Sequence, residues 1–497
     1  TSQQTTITVR VGLSFVSVSN AEANVDQENP SGNFDAIAAQ AAGTWNTWLN
    51  KIRVRGGTPE QIATFYTALY HCLLFPSVFS DVNGEYMGFD GQIYRTPADH
   101  AQYANFSGWD IYRSEVQLLA LLAPAQASDM AQSLVNNYKQ GGLLPKWSVA
   151  NSETYVQVGD PAAAIIADIY AFGGTDFDSR AALEAMVNQA TIPNQARPGL
   201  NYLDTPGYLP LDGFYGCCNA YGPASTTLEY NTADFAIGAF AMALGDGENA
   251  TKFIARAQNW QNLFNPITGY LEPRYKNGEF IKEYSPISNS GWVEGNSAQY
   301  TWMVPFNLHD LFAAMGGNAR VVQRLDTFFT HVNTGLKEPY AFLGNEPTFE
   351  VPWEYNYAGT PYKTQSIVHQ ILSTLFSSGP LGLPGNDDLG EMSSWYVFAA
   401  MGMYPETPGT ANLALTSPLF PNITIQRPGG QILQINAPGV SNTTYYVQSL
   451  KVNGQLSNKA WLSSSFIANG GTLEYTLARQ PDLTWGAAED DAPPSYS

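Results

Sequence analysis

The run Gly385-Asn386-Asp387-Asp388-Leu389-Gly390-Glu391-Met392-Ser393-Ser394-Trp395-Tyr396 sets two adjacent carboxylates in a glycine-bounded loop directly ahead of an apolar helix. Glycines let such a loop turn sharply, and the helix start offers unpaired N–H groups that hold acids in place. Upstream, Trp292-Val293-Glu294-Gly295-Asn296-Ser297-Ala298-Gln299-Tyr300 repeats the design, an acid among aromatics just before a helix. A loop that carries chemistry followed by a helix is the unit from which the fold is read.

Outward from these loops, helical patterning runs from about 33 to 403. Phe34, Ile37, Ala41, Trp45, Trp48, Leu49 and Ile52 share one helical face, and Thr58-Pro59-Glu60-Gln61 opens the next helix with a cap, an N1 proline and a capping-box glutamine. Further helices are expected near 110–122, 127–139, 161–172, 178–190, 229–243, 247–262, 296–315, 318–332, 362–376 and 390–403, twelve in all. Short joints such as Gly316-Gly317-Asn318 alternate with long loops such as 191–228 and 263–295, the spacing of αα-hairpins with functional loops at one end. A mainly α chain is therefore expected, with a helical linker and a closed (α/α)6 toroid over residues 21–404. On strict parity the Asp387-Asp388 loop falls at the opposite end from the Glu294 loop, unless the first helix is a linker outside the toroid.

The flanks read differently. Residues 6–18 alternate in polarity like a strand, and a lone strand needs partners. Residues 1–20 are thus expected to be the last strand of an otherwise absent or separate N-terminal β domain. After Tyr404 the pattern changes to short alternating runs, Ile423-Thr424-Ile425, Gln431-Ile432-Leu433-Gln434-Ile435, Tyr445-Tyr446-Val447 and Thr472-Leu473-Glu474-Tyr475, separated by Gly and Asn turns. They predict a C-terminal β-sandwich over 405–486, and the acidic, proline-bearing tail 487–497 reads as disordered.

Composition narrows the partners. The 43 acidic against 23 basic residues give a formal charge of −20, which argues against nucleic acid or an anionic membrane. No apolar run is long enough for a membrane span, and Thr1-Ser2-Gln3-Gln4 is no signal peptide, so any such segment has been removed. Cys72, Cys217 and Cys218 allow one bridge and one buried thiol, with the pairing open. Sequons at Asn105, Asn249, Asn422 and Asn442 and the aromatic-rich, weakly charged composition favour a secreted, glycosylated protein. The five histidines show no zinc-ligand spacing, and no G-x-S-x-G elbow or phosphate-cradling loop is present.

Two acids in separate aromatic-rich loops suggest sugar-bond hydrolysis, in which an acid protonates the leaving oxygen and, in inverting enzymes, a carboxylate roughly 6.5–9.5 Å away activates water. Glu294 suits the acid, with Trp292, Tyr300 and Trp302 expected to strip water from it; Asp388, beside Asp387, suits the base. The plainer alternatives are a helix-start carboxylate at 294 and an Asx-type cap at 387–388. Trp109-Asp110-Ile111-Tyr112-Arg113 offers a stacking ring, an acceptor and a guanidinium, and Lys146-Trp147, Gly159-Asp160-Pro161 and Asn345-Glu346 repeat the theme. Here the alternatives are a core tryptophan and ordinary helix caps. Oxygen-rich acidic loops would favour a hard cation such as calcium over a transition metal.

Taken together, these motifs resemble glycoside hydrolase family 92, the calcium-dependent exo-acting α-mannosidases. The resemblance rests on Gly385–Tyr396, Val293-Glu294-Gly295-Asn296, Gly344-Asn345-Glu346-Pro347, Trp109–Arg113, Pro145-Lys146-Trp147, Val158-Gly159-Asp160-Pro161-Ala162-Ala163 and Tyr355-Asn356-Tyr357-Ala358-Gly359, in the family's order. It implies a β-sandwich before an (α/α)6 toroid with the site between them, Glu294 as acid, Asp388 as base, and inversion. It implies that Ca2+ binds the mannose 2- and 3-hydroxyls, with its protein ligands unassigned, and that the absent first domain is a partner contributing site aromatics. Two positions depart from the pattern: some relatives carry an acid where Asn386 stands, and members acting on α-1,2 links often have His where Asn345 stands. The expectation is a secreted exo-α-mannosidase trimming N-glycans or mannan, with α-1,2 the first linkage to test. The alternatives are an (α/α)6 glycosidase of α-glucosides and a non-catalytic glycan-binding protein.

Overall fold

A computed structural model describes residues 7–215 and 222–497. The capping box at Thr58 forms as expected, the Thr58 hydroxyl accepting from Gln61 N–H and the Gln61 side chain accepting from Thr58 N–H, and opens the helix Pro59–Cys72. This helix packs on Glu391–Met401, the last long helix, while Glu115–Leu122 packs on Pro161–Ala171 and that on Pro223–Ala243. Every residue of Glu115–Leu122 and Glu391–Met401 is buried, acids included, as in helices enclosed on all sides. Pro124–Gly141, Ser179–Thr191 and Gly247–Ala257 pack against these helices, the last two over the patterned spans. The chain is mainly helical, and its first and last long helices of this set meet.

Three expectations need correction. Helix 34–52 ends at Leu49; Asn50 closes it, and Ile52–Arg55, whose I-R-V-R alternation is a strand pattern, becomes the edge strand of a sheet. The span 296–315 breaks into Ser297–Tyr300 and Leu308–Ala314, because Pro305 removes a donor and biases Val304 away from helix. Residues 7–17, whose strand partners are expected in a separate domain, pair with no strand among the described residues; the backbone enters the helix Val18–Glu28 through a Ser17 cap, and Ile7, Val9, Val11, Leu13 and Phe15 stand 60–81% exposed. That helix, too polar to stand out by pattern, is tied down by Asn20 and Asn24, whose amides both donate to Asp81. Finally, the tail is ordered: the Tyr496 ring packs on Phe235, its N–H donates to the Phe306 carbonyl at 2.7 Å, and its hydroxyl accepts from Asn412.

The patterned strands of the C-terminal part form a six-stranded sheet in the order Ile52–Arg55, Asn422–Gln426, Ile432–Asn436, Gly471–Ala478, Tyr446–Val452, Gln455–Ser457. It is antiparallel except between Ile432–Asn436 and Gly471–Ala478. A three-stranded sheet, Met403–Tyr404, Leu413–Leu415 and Trp461–Leu462, lies at the junction with the last helix. Cys72 is a free, buried thiol; Cys217 and Cys218 lie outside the described residues. Among the described residues, no helix is long and apolar enough to cross a membrane.

Candidate active site

Two glycines bring the acidic loops together. A Cβ on Gly385 would lie 2.1 Å from the Gly344 carbonyl oxygen, and one on Gly344 would lie 2.6 Å from the Pro384 carbonyl, so the loops Gly344–Glu346 and Gly385–Asp388 run backbone to backbone. The contact sets Glu346 beside Asp388. Asp110, on the short helix Gly108–Ile111, completes a group in which one carboxylate oxygen from each of Asp110, Glu346 and Asp388 lies within 4.8 Å of the others. We expect Gly385→Ala to pry the two backbones apart, lowering the unfolding free energy by about 1–3 kcal/mol and removing most activity. Thermal unfolding and a hydrolysis assay on the same sample check both effects.

Packing three carboxyls together is costly without a proton or a cation between them. Burial pushes Asp110 well above the usual carboxylate range, and the charges of Glu346 and Asp388 push it further. Glu346 is raised by burial and then by the charge of Asp388; Asp388, the least buried, is raised by burial and by the charges of Glu294 and Asp387. Glu346 Oε2 is buried with no donor facing it. A proton shared with Asp388 or a bound cation would satisfy it, and the all-oxygen donor set suits a hard divalent ion. The backbone at Asp388 and Glu294 is left-handed, at φ +42° and +52°, as is common where a site fixes a side chain against local preference.

Glu294 lies outside this group, on a neighbouring loop that Asn345, the residue before Glu346, ties to it. Its carbonyl accepts from Asn345 Nδ2 and its carboxylate from Gln157 Nε2, each at 2.9 Å. The surrounding aromatics do not strip water from it as expected. Trp292 and Tyr300 stack at 5.0 Å beneath the loop, with the Tyr300 hydroxyl donating to the Val293 carbonyl, while Glu294 itself stays exposed.

The structure separates the remaining residues by task. Asp387 turns to His71 at 3.1 Å and accepts from Ser393 N–H in the first turn of the helix Glu391–Met401, while its charge also raises Asp388. Trp109 and Arg113 are buried and form no free sugar platform. The Trp109 indole, the Tyr112 hydroxyl and Arg113 all donate to Glu229, and Arg113 also pairs with Glu350. Asp160 is buried, accepts from Gln189 and pairs with Arg197, which pairs in turn with Asp234. Trp147 remains half-buried, on a strand paired to Ser107 next to the Asp110 helix. Glu229, Gln157 and His71 escaped sequence reading, because a mid-helix acid, a lone loop amide and a helix-end histidine carry no local signature.

Residues 20–479 match the glycosyl hydrolase family 92 catalytic domain. The chain is 28% identical over 530 residues to an uncharacterized secreted glycosidase of Arthroderma benhamiae, a match covering 99% of this chain and 63% of that protein. It superposes on a family GH92 α-mannosidase from Bacteroides thetaiotaomicron with a TM-score of 0.91 and 30% identity, covering 97% of this chain and 64% of that one. For a family GH92 inverting mannosidase from the same organism the figures are 0.90, 29%, 97% and 68%. The chain thus spans less than two thirds of the fungal relative and of the first of the two bacterial enzymes.

Proposed function

The chain belongs to glycosyl hydrolase family 92, and from that footing we propose that it forms the toroidal and C-terminal parts of a secreted, exo-acting, inverting α-mannosidase that removes terminal mannose from N-glycans or mannan. The observation that supports this most is that Asn345, next to Glu346, donates to the Glu294 carbonyl and so holds an exposed acid on a loop beside the Asp110–Glu346–Asp388 group, close enough for its charge to act on Asp388. In the proposed reaction the Glu294 carboxyl gives its proton to the glycosidic oxygen as the C1–O bond breaks. Asp388 takes a proton from the water whose oxygen attacks C1 from the opposite face. Mannose of inverted configuration and the free alcohol result.

Calcium fits the donor set. Asp110 and Glu346, with one oxygen of Asp388, would hold it, and bound there it would neutralise the carboxyl group and polarise sugar hydroxyls. The helices closing from Pro59–Cys72 to Glu391–Met401 are read as the (α/α)6 toroid. The row Ile7, Val9, Val11, Leu13 and Phe15 is read as the face that meets an N-terminal β-sandwich domain of the same protein. Secretion follows the name of the fungal relative. Hydrolysis of a panel of manno-oligosaccharides and glucosides, with product anomers followed by proton NMR, tests the reading. β-Mannose as first product is expected, and α-mannose, glucose release or no turnover would reject it.

The carboxyl group also predicts a pH dependence. Acids whose folded pKa lies above the unfolded value add stability while protonated, near and below pH ~4, and lose it as the pH rises through the raised values, about 8 for Glu346. In excess chelator the unfolding temperature should therefore fall as the pH is raised from 5 to 8. Calcium should reverse most of the fall, adding about 2.7 kcal/mol at a hundredfold excess over Kd. A chelated protein whose stability rises over that range would refute the cation-binding role.

A further inference from the structure

We propose that Gln157 is a positioning residue for Glu294, holding the exposed acid in line with the leaving oxygen; this rests on the reading of Glu294 as the proton donor. The Gln157 amide donates to Glu294 Oε1 at 2.9 Å, from a residue whose own backbone is left-handed at φ +64°. The loop that presents it is over-determined. Ala150 and Tyr155 are left-handed as well, at φ +50° and +56°. Glu153 anchors the loop from within, accepting from Lys146 N–H and Tyr155 N–H at 2.6 Å each and from Trp147 N–H at 3.2 Å. Gln195 donates to the Tyr155 hydroxyl, and Asn151 reaches the Gly88 carbonyl on the preceding hairpin.

So much local strain aimed at one amide implies that the amide matters, because a non-glycine residue in this region persists only where its surroundings insist on it. The need is physical. Glu294 is exposed, and a free carboxylate on three rotatable bonds spends little time in the one orientation that delivers a proton. Asn345 fixes the Glu294 backbone from one side, and Gln157 fixes the carboxyl from the other.

A neutral amide is also the right chemistry for a group that must cycle. Its NH2 donates to one carboxyl oxygen throughout, to the carbonyl oxygen of the acid before transfer, which leaves the O–H free to face the leaving oxygen, and to the carboxylate after it. Lysine or arginine in its place would favour the anion alone, and an acid would repel it.

The test is kinetic. Gln157→Met keeps the length of the side chain and removes both halves of the hydrogen bond, at a half-buried loop position where folding is not at stake. On a mannose disaccharide we expect kcat to fall about 10–100-fold with KM little changed. Across aryl α-mannosides the dependence of log kcat/KM on leaving-group acidity should steepen, with the best leaving group within about twofold of the parent enzyme. Gln157→His, which restores a donor and an acceptor, should recover part of the loss. An unchanged slope in Gln157→Met, or a loss equal on all leaving groups, overturns the proposal. Glu294→Gln, run in parallel, separates the two readings: a steepened slope there with none in Gln157→Met sinks only the role of Gln157, whereas no slope change in Glu294→Gln sinks the acid assignment and this proposal with it.

Discussion

Glu294→Gln is expected to lower turnover of manno-oligosaccharides by about 10²–10⁴-fold while leaving mannosides with dinitrophenolate-like leaving groups far less affected. The asymmetry follows from the reaction. A sugar alkoxide cannot depart without a proton, and the Gln amide has none to give, but an acidic phenol departs as its anion. The fold should survive, since Glu294 is exposed and its two contacts are an Asn345 amide on its carbonyl and a Gln157 amide on its carboxylate. The Gln side chain keeps an acceptor oxygen for the latter. Initial rates on a disaccharide and an activated aryl mannoside, with thermal unfolding as control, decide the matter. A loss of equal size on both substrates would remove Glu294 from the acid role.

Asp388→Asn is expected to lose activity by about 10³-fold or more on every mannoside, activated or not. Removing the base leaves the attacking water with its proton, and no leaving group, however good, relieves that. Asn tolerates the left-handed backbone at φ +42° better than most residues, so the loop should keep its shape. It also removes one of three clustered charges, so the substituted protein should be no less stable than the parent in chelator, where burial and mutual repulsion raise all three acids. If activity on the activated substrate recovers in Asp388→Asn as it does in Glu294→Gln, the division of roles between the two carboxyls is wrong.

The two profiles together are diagnostic because the residues sit on different loops, Glu294 before Ser297–Tyr300 and Asp388 before Glu391–Met401. Each substitution therefore leaves the other loop intact. Kinetics then report on chemistry instead of on a shared collapse.

Much of this is legible in the chain itself. The Thr58–Gln61 capping box, the Pro and Gly punctuation of helices such as Pro124–Gly141, and the alternating runs that become Asn422–Gln426 and Ile432–Asn436 are interactions within a few residues, so residue order alone predicts them. The motifs at 294, 346 and 388 are legible too, because glycines and acids at helix starts leave a recognisable composition. Expectations fail where distant partners intervene. Ile52 joins a sheet because Ile425 lies opposite it, and the tail is ordered because Phe235, Phe306 and Asn412 receive Tyr496.

Residue order therefore accounts for the helical framework, the strands that follow it and the acids that stand at loop ends, since propensity, capping and turn chemistry act over one or two turns of chain. Which acids share a site is settled only by the folded chain. Asp110, Glu346 and Asp388 are far apart in sequence and converge only in the folded chain, where Gly344 and Gly385 let the backbones beside Glu346 and Asp388 touch, while Asp160, equally acidic and equally placed before a helix, pairs with Arg197. Charge–charge interaction depends on distance through space, and no pattern along the chain encodes that distance.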